Sequence, residues 1–540
     1  MLKFDRKRAP WVALISVLLI YTFVWGVIGV RYEVNDDATL SNIAAGAYGA
    51  NTQYLVYINI LVGWFLKPFF ALFPGFNWLY ALQTVAVIAA LTILFCMVLN
   101  ELGMERGLPV AFLVICVYGI DLFYSFQYVK NSGICLIVGF LLFAKHLGHW
   151  NFYTFLGGAF VVFGSMLRFQ NFMAVGALSA MLLLTRFSVL DSREKKAAIL
   201  SFLLLLSVVC LVKGIDILSY QMDDGWRTFT KYNDVRTSIS DFRLQFLQDP
   251  EGLASLQYSA NDVDVLRGWQ FWDNEVFSVE KLNGILQTLP NNSFSNTLRQ
   301  MYSYTMEILN AAPFHLLFCT LCLLWLICAK KCSSLGFVGT VFILGALMLY
   351  LAYRGRYPHR VDFVLICAAT LFGWQCCRWQ GSVKLLNLRF LAAITGLFAL
   401  ACFPYWYQHR IDMKEYRETS VDSPKYHQYS ADKEHIYLLD VDVLDSISGY
   451  DVLHPRTKDF FSNIVFLGGW LSMSPFQTDV LRQYDVANPY RDMIDNERVY
   501  LVDYLYVQTK EMFLKEHYNA NVRCEIVDNE ATFWTWQIKT

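Results

Sequence analysis

The chain has 540 residues, 56% of them hydrophobic and 16% charged, where soluble domains carry roughly 25% charged residues. Its formal net charge of −1 hides an asymmetry, because the last 134 residues hold 22 of the 45 acidic and 14 of the 44 basic residues. A soluble single-domain enzyme, a nucleic-acid binder and a disordered chain are excluded, and recurrent membrane-length apolar runs from Pro10 to Trp406 point to a polytopic membrane protein.

Lys3, Arg6, Lys7 and Arg8 precede Pro10–Val30, a run of 21 uncharged residues with no small-residue cleavage site, which reads as a first span. Further apolar segments are Tyr54–Phe73, Trp78–Leu99, Leu108–Phe126, Ser132–Ala144, Trp150–Leu167, Phe169–Thr185 and Ala197–Val212. After a long polar stretch come Ala311–Ala329, Cys332–Tyr353, Val361–Cys377 and Phe390–Trp406. Ser132–Ala144 is short, so Lys130 and Lys145 are expected to snorkel from its ends.

Tyr54–Phe73 is interrupted by Lys67-Pro68, and charge bias sorts it. If it lies along the membrane and the N-terminus is cytoplasmic, every strong basic cluster falls inside: Lys3–Arg8, Arg186/Arg193/Lys195/Lys196, Lys330/Lys331 and Arg378/Lys384/Arg389. If it crosses, the first two clusters fall on opposite faces. The expected fold is therefore a polytopic α-helical membrane protein of about eleven spans over residues 1–406. Tyr54–Phe73 becomes a juxtamembrane or re-entrant helix. The loops Arg31–Asn77 and Ile217–Asn310, and a small α/β domain over residues 407–540, lie outside the cell.

The long loop reads as helical, with Leu, Phe and Trp at helix-like spacing between Asp-Pro and Asn-Asn breakers. In the tail, His435–Leu444, Asn463–Leu467 and Val499–Leu505 read as strands and Gln508–Tyr518 as an amphipathic helix. Val522–Val527 and Thr532–Ile538 read as a closing hairpin. Among the thirteen cysteines only Cys524 falls in an outer soluble region, which leaves no disulfide framework there.

The informative residues are charges at the outer membrane face. Asp36 and Asp37 follow the first span; two adjacent carboxylates at a bilayer boundary repel each other and lose hydration, which is how a carboxylate becomes a general base or a metal ligand. One of them is also a good N-cap for a helix beginning near Leu40. Arg168, Lys130 and the turn holding Arg354, Arg356, His359 and Arg360 form the cationic set. Positive charge outside runs against the orientation bias and calls for compensation, and arginine forks match phosphate oxygens. Arg168, Arg356 and Arg360 read as phosphate ligands, whereas Lys130 and Arg354 read more as headgroup anchors. Asp121 is an acid within a span with no partner near it in sequence, hence a substrate-site candidate, whereas Asp362 is expected to pair with Arg356 or Arg360. Tyr232, Asn233 and Arg236 in the long loop are polar and aromatic groups suited to sugar hydroxyls, and capping explains Ser240 and Asp241 equally well.

Together, the acids after the first span, the apolar juxtamembrane helix and the outer C-terminal domain resemble the GT-C class of membrane glycosyltransferases. The segments NDDATLSNIAAGAYG, FQYVKNSG, GSMLRFQNF, KYNDVRTSISDF and RGRYPHRV look like those of multi-pass bacterial proteins assigned to that class. The resemblance implies a polyprenyl-phosphate-linked sugar donor, a glycan or glycopolymer acceptor and inverting transfer on the outer face of the plasma membrane. Asp36 or Asp37 would be the base, and Arg168, Arg356 and Arg360 would neutralise the departing phosphate. A divalent cation, Mg or Mn, is permitted between the acids but not required. A polysaccharide polymerase or ligase, and a lipid-linked-sugar flippase, are the rival readings; no nucleic-acid partner is expected.

Overall fold

The computed structural model describes residues 8–248, 251–309, 313–328, 335–377, 388–530 and 532–540. Lys3, Arg6, Lys7, Lys330, Lys331, Arg378 and Lys384 of the basic clusters lie outside the described residues. The chain is mostly helical, and six described helices are long and apolar enough to cross a membrane.

Helix α1 (Ala9–Phe23) carries Pro10 in its first turn and ends in a π-helical turn, Val24–Ile28. A short strand β1 (Arg31–Tyr32) and α2 (Asn35–Ala45) follow. Helix α3 covers only Ile60–Leu72 of the expected Tyr54–Phe73. Its start is set by Asn59, whose side chain accepts from the Leu61 N–H at 3.0 Å. The preceding backbone bonds elsewhere: the Val56 N–H donates to the Tyr220 hydroxyl at 2.8 Å, and Val56 has a left-handed φ of 58°.

Helices α4 (Trp78–Leu102), α5 (Met104–Tyr124), α6 (Tyr128–Lys145), α7 (Phe152–Leu167), α8 (Phe169–Phe187) and α9 (Ser192–Met222) run back and forth, with β2 (Ser125–Phe126) pairing β1 in parallel. Every residue of α6 from Tyr128 to Ala144 is buried, so this helix is the axis of the bundle and has no lipid-facing side. Small residues permit that position. A Cβ on Gly139 would lie 2.8 Å from the Val161 nitrogen, and one on Gly157 2.8 Å from the Phe143 nitrogen, so α6 and α7 touch backbone to backbone. The expectation that Lys130 snorkels is overturned. Lys130 has 0% side-chain exposure and pairs with Glu33 at 2.9 Å and Asp121 at 3.1 Å, because the helix that carries it meets protein on every side.

The long loop is helical as expected: α10 (Asp224–Ser240), α11 (Glu251–Ala254), α12 (Ala260–Arg267), α13 (Val279–Thr288) and α14 (Phe294–Leu309). Four more helices follow, α15 (Pro313–Cys328), α16 (Leu335–Arg354), α17 (His359–Cys376) and α18 (Leu388–Thr419). Asp362 pairs with neither arginine of its turn. Its carboxylate meets His315 at 2.6 Å and accepts from the Tyr357 hydroxyl at 2.7 Å, partners that α15 and the turn supply.

In the tail, helices α19 (Pro424–Ala431), α20 (Leu444–Ile447), α21 (Pro475–Gln483), α22 (Pro489–Asp492) and α23 (Val507–His517) surround a sheet. Its strands are β3 (Ile436–Asp440), β4 (Ile464–Leu467), β5 (Val499–Asp503), β6 (Arg523–Asn529) and β7 (Trp534–Lys539). The order is β4-β3-β5-β7-β6; β4, β3 and β5 are parallel, and β7 and β6 close the sheet as an antiparallel hairpin. Strands β3 and β4 are buried along their whole length, which is why IYLLD and IVFL read as continuous apolar runs.

The two loops and the sheet pack on one another. The Asn77 N–H donates to the Leu453 carbonyl at 2.8 Å, the Arg456 N–H to Asn42 Oδ1 at 2.7 Å, and Trp272 Nε1 to the Phe466 carbonyl at 2.9 Å. All three therefore gather at the end of the bundle where α1, α5 and α7 finish and α6, α8 and α17 begin.

Candidate functional site

Helix α2 begins at Asn35, earlier than the expected start near Leu40, so Asp36 and Asp37 fall in its first turn. Acids there are favoured by the partial positive charge of the helix start. The N-cap is Val34, and neither aspartate caps this helix.

The two carboxylates have different surroundings. Asp37 is buried at 1% exposure, and its Oδ1 accepts from the Tyr128 N–H, the first of α6, at 2.9 Å. Its Oδ2 is buried without a partner. Burial, with Asp36 and Glu33 nearby, pushes Asp37 well above the usual carboxylate range against the pull of the Tyr128 N–H. Asp36 keeps 18% side-chain exposure; its Oδ1 accepts from Trp470 Nε1 at 3.1 Å, and its Oδ2 lies 3.9 Å from the Arg360 guanidinium.

Aromatic rings connect this pair to Arg168. Trp470 packs on Tyr57 with ring centroids 4.8 Å apart, and the Arg168 guanidinium lies 5.3 Å from the same Tyr57 ring. Arg168 also donates to the Tyr128 hydroxyl at 3.3 Å. Arg236 is close enough that its charge, like that of Arg168, opposes the rise that burial imposes on the Tyr57 phenol. Asp36, Asp37, Arg168, Arg360 and Arg236 thus converge, although they come from α2, the α7–α8 turn, α17 and α10.

The other expected residues are placed differently. Arg356 forms an ion pair with Asp241, which links the α16–α17 turn to the end of α10. Asp121 and Lys130 belong to a buried network with Glu33, and His359 reaches Asp121 at 3.6 Å. The Tyr232 hydroxyl donates to the Phe271 carbonyl at 3.0 Å, and Asn233 Oδ1 accepts from Arg236 Nη2 at 2.9 Å, so both act as supports. Arg236 is itself buried, 5.8 Å over the Trp269 ring, and donates to neutral oxygens of Asn233, Thr237 and Ser240.

Tyr57, Tyr128, Trp269 and Trp470 escaped the sequence reading. The available signal was Gly468-Gly469-Trp470, directly after the apolar strand β4. Loops at the carboxyl ends of parallel strands carry ligands. Gly468 and Gly469 have φ of +126° and +73°, and the Gly469 N–H donates to the Trp269 carbonyl at 3.2 Å, which turns Trp470 toward Asp36.

The α6 N–H of Tyr128 engages one oxygen of Asp37, and the Trp470 indole N–H one oxygen of Asp36. Among the described residues, three metal-type ligand atoms lie within 4.8 Å of one another at Asp262, Glu516 and His517. In comparisons with family models, curated proteins and solved structures, nothing matches this chain.

Proposed function

We propose that this chain is an inverting glycosyltransferase of GT-C type, moving a sugar from a polyprenyl-phosphate-linked donor to a glycan or glycopolymer acceptor on the outer face of the plasma membrane. The observation that carries the reading is the half-buried Asp36 carboxylate between Trp470 Nε1 and Arg360, beside Arg168 and the Tyr57 ring. A carboxylate for the acceptor proton, arginines for a phosphate and aromatic rings for a sugar face are the groups such a transfer uses.

In this reading Asp36 accepts the proton of the acceptor hydroxyl as that oxygen forms a bond to the anomeric carbon. The bond from the anomeric carbon to the phosphate oxygen breaks with inversion. Arg168 and Arg360 stabilise the charge that collects on the departing lipid phosphate. Asp37 holds α6 against α2 and shapes the site, and Asp36 is the carboxylate open to the acceptor.

The membrane arrangement belongs to the same proposal: eleven spans, the N-terminus cytoplasmic, and the two loops with the C-terminal sheet outside. Packing of those three pieces at one end of the bundle supports it, because an odd number of spans between them would separate them. The test is transfer by the purified full-length protein from a polyprenyl-phosphate sugar, with donor binding measured in parallel. Asp36→Asn should abolish transfer and retain binding. Full transfer by that variant removes the reading.

A further inference from the structure

A cavity of about 180 Å³ lies between the end of α10, the start of α14 and the end of α16. Ser238, Phe242, Arg243, Asn292, Tyr353 and Arg354 line it, and no acid is among its lining residues. We propose that this pocket binds a phosphate group carrying a neighbouring hydroxyl, at the level of the lipid headgroups, with Arg243 and Arg354 as its cationic partners.

Four observations carry the proposal. The Arg354 guanidinium stacks 4.1 Å from the Phe242 ring centre, which fixes its plane and leaves its in-plane N–H groups for an acceptor. Arg243 donates one N–H to the Leu286 carbonyl at 3.2 Å, which orients the guanidinium without neutralising it. The nearest acid in sequence, Asp241, is engaged by Arg356. Finally, Asn292 is buried and donates to the Ala352 carbonyl at 3.0 Å and to Gln300 Oε1 at 3.2 Å, while its Oδ1 has no partner. A lone buried acceptor beside two cations suits a ligand that presents both an anion and a hydroxyl.

The membrane level follows from the flanking helices. Arg354 is the last residue of α16, whose Phe342, Leu349, Tyr350 and Tyr353 are exposed large side chains. On α14, Phe294, Leu298, Tyr302 and Met306 recur every four residues and are all exposed. An apolar stripe on a helix that adjoins an apolar span, with tyrosines at the edge, suits the interface between acyl chains and headgroups. Ser238 is two residues from Arg236 on α10, about 200° around the helix, so the pocket faces away from the site beside Asp36. The inference does not depend on glycosyl transfer.

The full-length protein, delipidated in detergent, should retain phosphatidylglycerol in native mass spectrometry in preference to phosphatidylcholine, whose headgroup lacks hydroxyls. Arg243→Gln and Arg354→Gln should each weaken retention about tenfold, and Arg354→Lys by less. Asn292→Asp, which adds a negative charge at nearly the same volume, should weaken it as well and serves if an arginine variant does not fold. Free glycerol phosphate that displaces the lipid supports the site and assigns binding to the headgroup alone; lipid that resists displacement supports it and assigns the ligand to the membrane. Equal retention by wild type, Arg354→Gln and Asn292→Asp, or no retention of either probe by wild type, overturns the proposal.

Discussion

Trp470 Nε1 donates to Asp36 Oδ1 at 3.1 Å across 434 residues of sequence. One residue follows the first apolar helix and the other follows a strand of the C-terminal sheet, so the sheet supplies part of the candidate site's wall. The tail is thereby tied to whatever chemistry occurs at Asp36.

Removing that indole should act on turnover. Trp470→Phe keeps a ring against Tyr57 and loses the N–H, and a bond to a charged group is worth about 1.5–3 kcal/mol, so transfer should fall about tenfold or more. Trp470→Ala should also raise the acceptor KM. Steady-state kinetics on the purified protein separate the two effects, and an unchanged kcat in both variants contradicts a role for the tail in the site.

Asp36 and Asp37 should respond differently to the same substitution. Asp36→Asn removes a proton acceptor, a loss of about 10²–10⁴ in rate for a general base. Asp37→Asn keeps an oxygen for the Tyr128 N–H and removes a carboxyl that burial disfavours in its charged form. Because the folded state holds that proton above the ordinary carboxylate range, Asp37 adds stability at low pH that declines as pH rises toward its raised value. Thermal melts from pH 4 to 8 should therefore slope downward more steeply in wild type than in Asp37→Asn. Parallel melting curves would show that Asp37 carries no such linkage.

Arg356 and Arg168 should likewise separate. Arg356→Ala breaks the partly exposed pair with Asp241 and should cost about 1 kcal/mol or less, with donor affinity kept. Exchanging the two charges, Arg356→Asp with Asp241→Arg, should recover much of that loss in a melting experiment. Arg168→Ala should instead lower donor affinity, and Arg168→Lys should restore only part of it. Donor affinity that falls in the Arg356 variant and survives in the Arg168 variant reverses this assignment.

The C-terminal sheet has its own vulnerable point in Lys510. The ammonium is completely buried and bonded to Asp440 and Asp503, which end the neighbouring parallel strands β3 and β5. Burial opposes its charge, and the two carboxylates more than offset that, raising the Lys510 pKa. Lys510→Met would leave two carboxylates buried together and should destabilise the fold by about 3–5 kcal/mol. Urea unfolding followed by tryptophan fluorescence measures this. A loss below about 1 kcal/mol would mean that water reaches the cluster.

Accessibility tests the membrane arrangement. Single cysteines in a background without the native thirteen should be labelled from outside at Ser255 and Asp451 and only after permeabilisation at Lys195. Labelling of Lys195 and Ser255 from the same side contradicts eleven spans.

Properties that depend on local pattern were legible in the sequence. Apolar length marked the membrane helices, and local strand and helix patterns placed β3–β7 and α23 within a few residues of their observed limits. Asp36 and Asp37 stood out because a charge beside an apolar span is costly wherever the chain goes. Pairing was another matter, since proximity in space is not encoded in spacing along the chain. Lys130 looked like the end of a short lipid-facing span. Only packing of α6 on all sides showed that its charge is met by Glu33 and Asp121. Arg356 and Arg360 sit four residues apart, yet the bend between α16 and α17 sends one to Asp241 and the other toward Asp36. Trp470 had no local mark of function beyond two glycines. It joins Asp36 because the sheet folds back onto the end of the bundle where the first span finishes, and that docking is decided by surface complementarity between parts hundreds of residues apart.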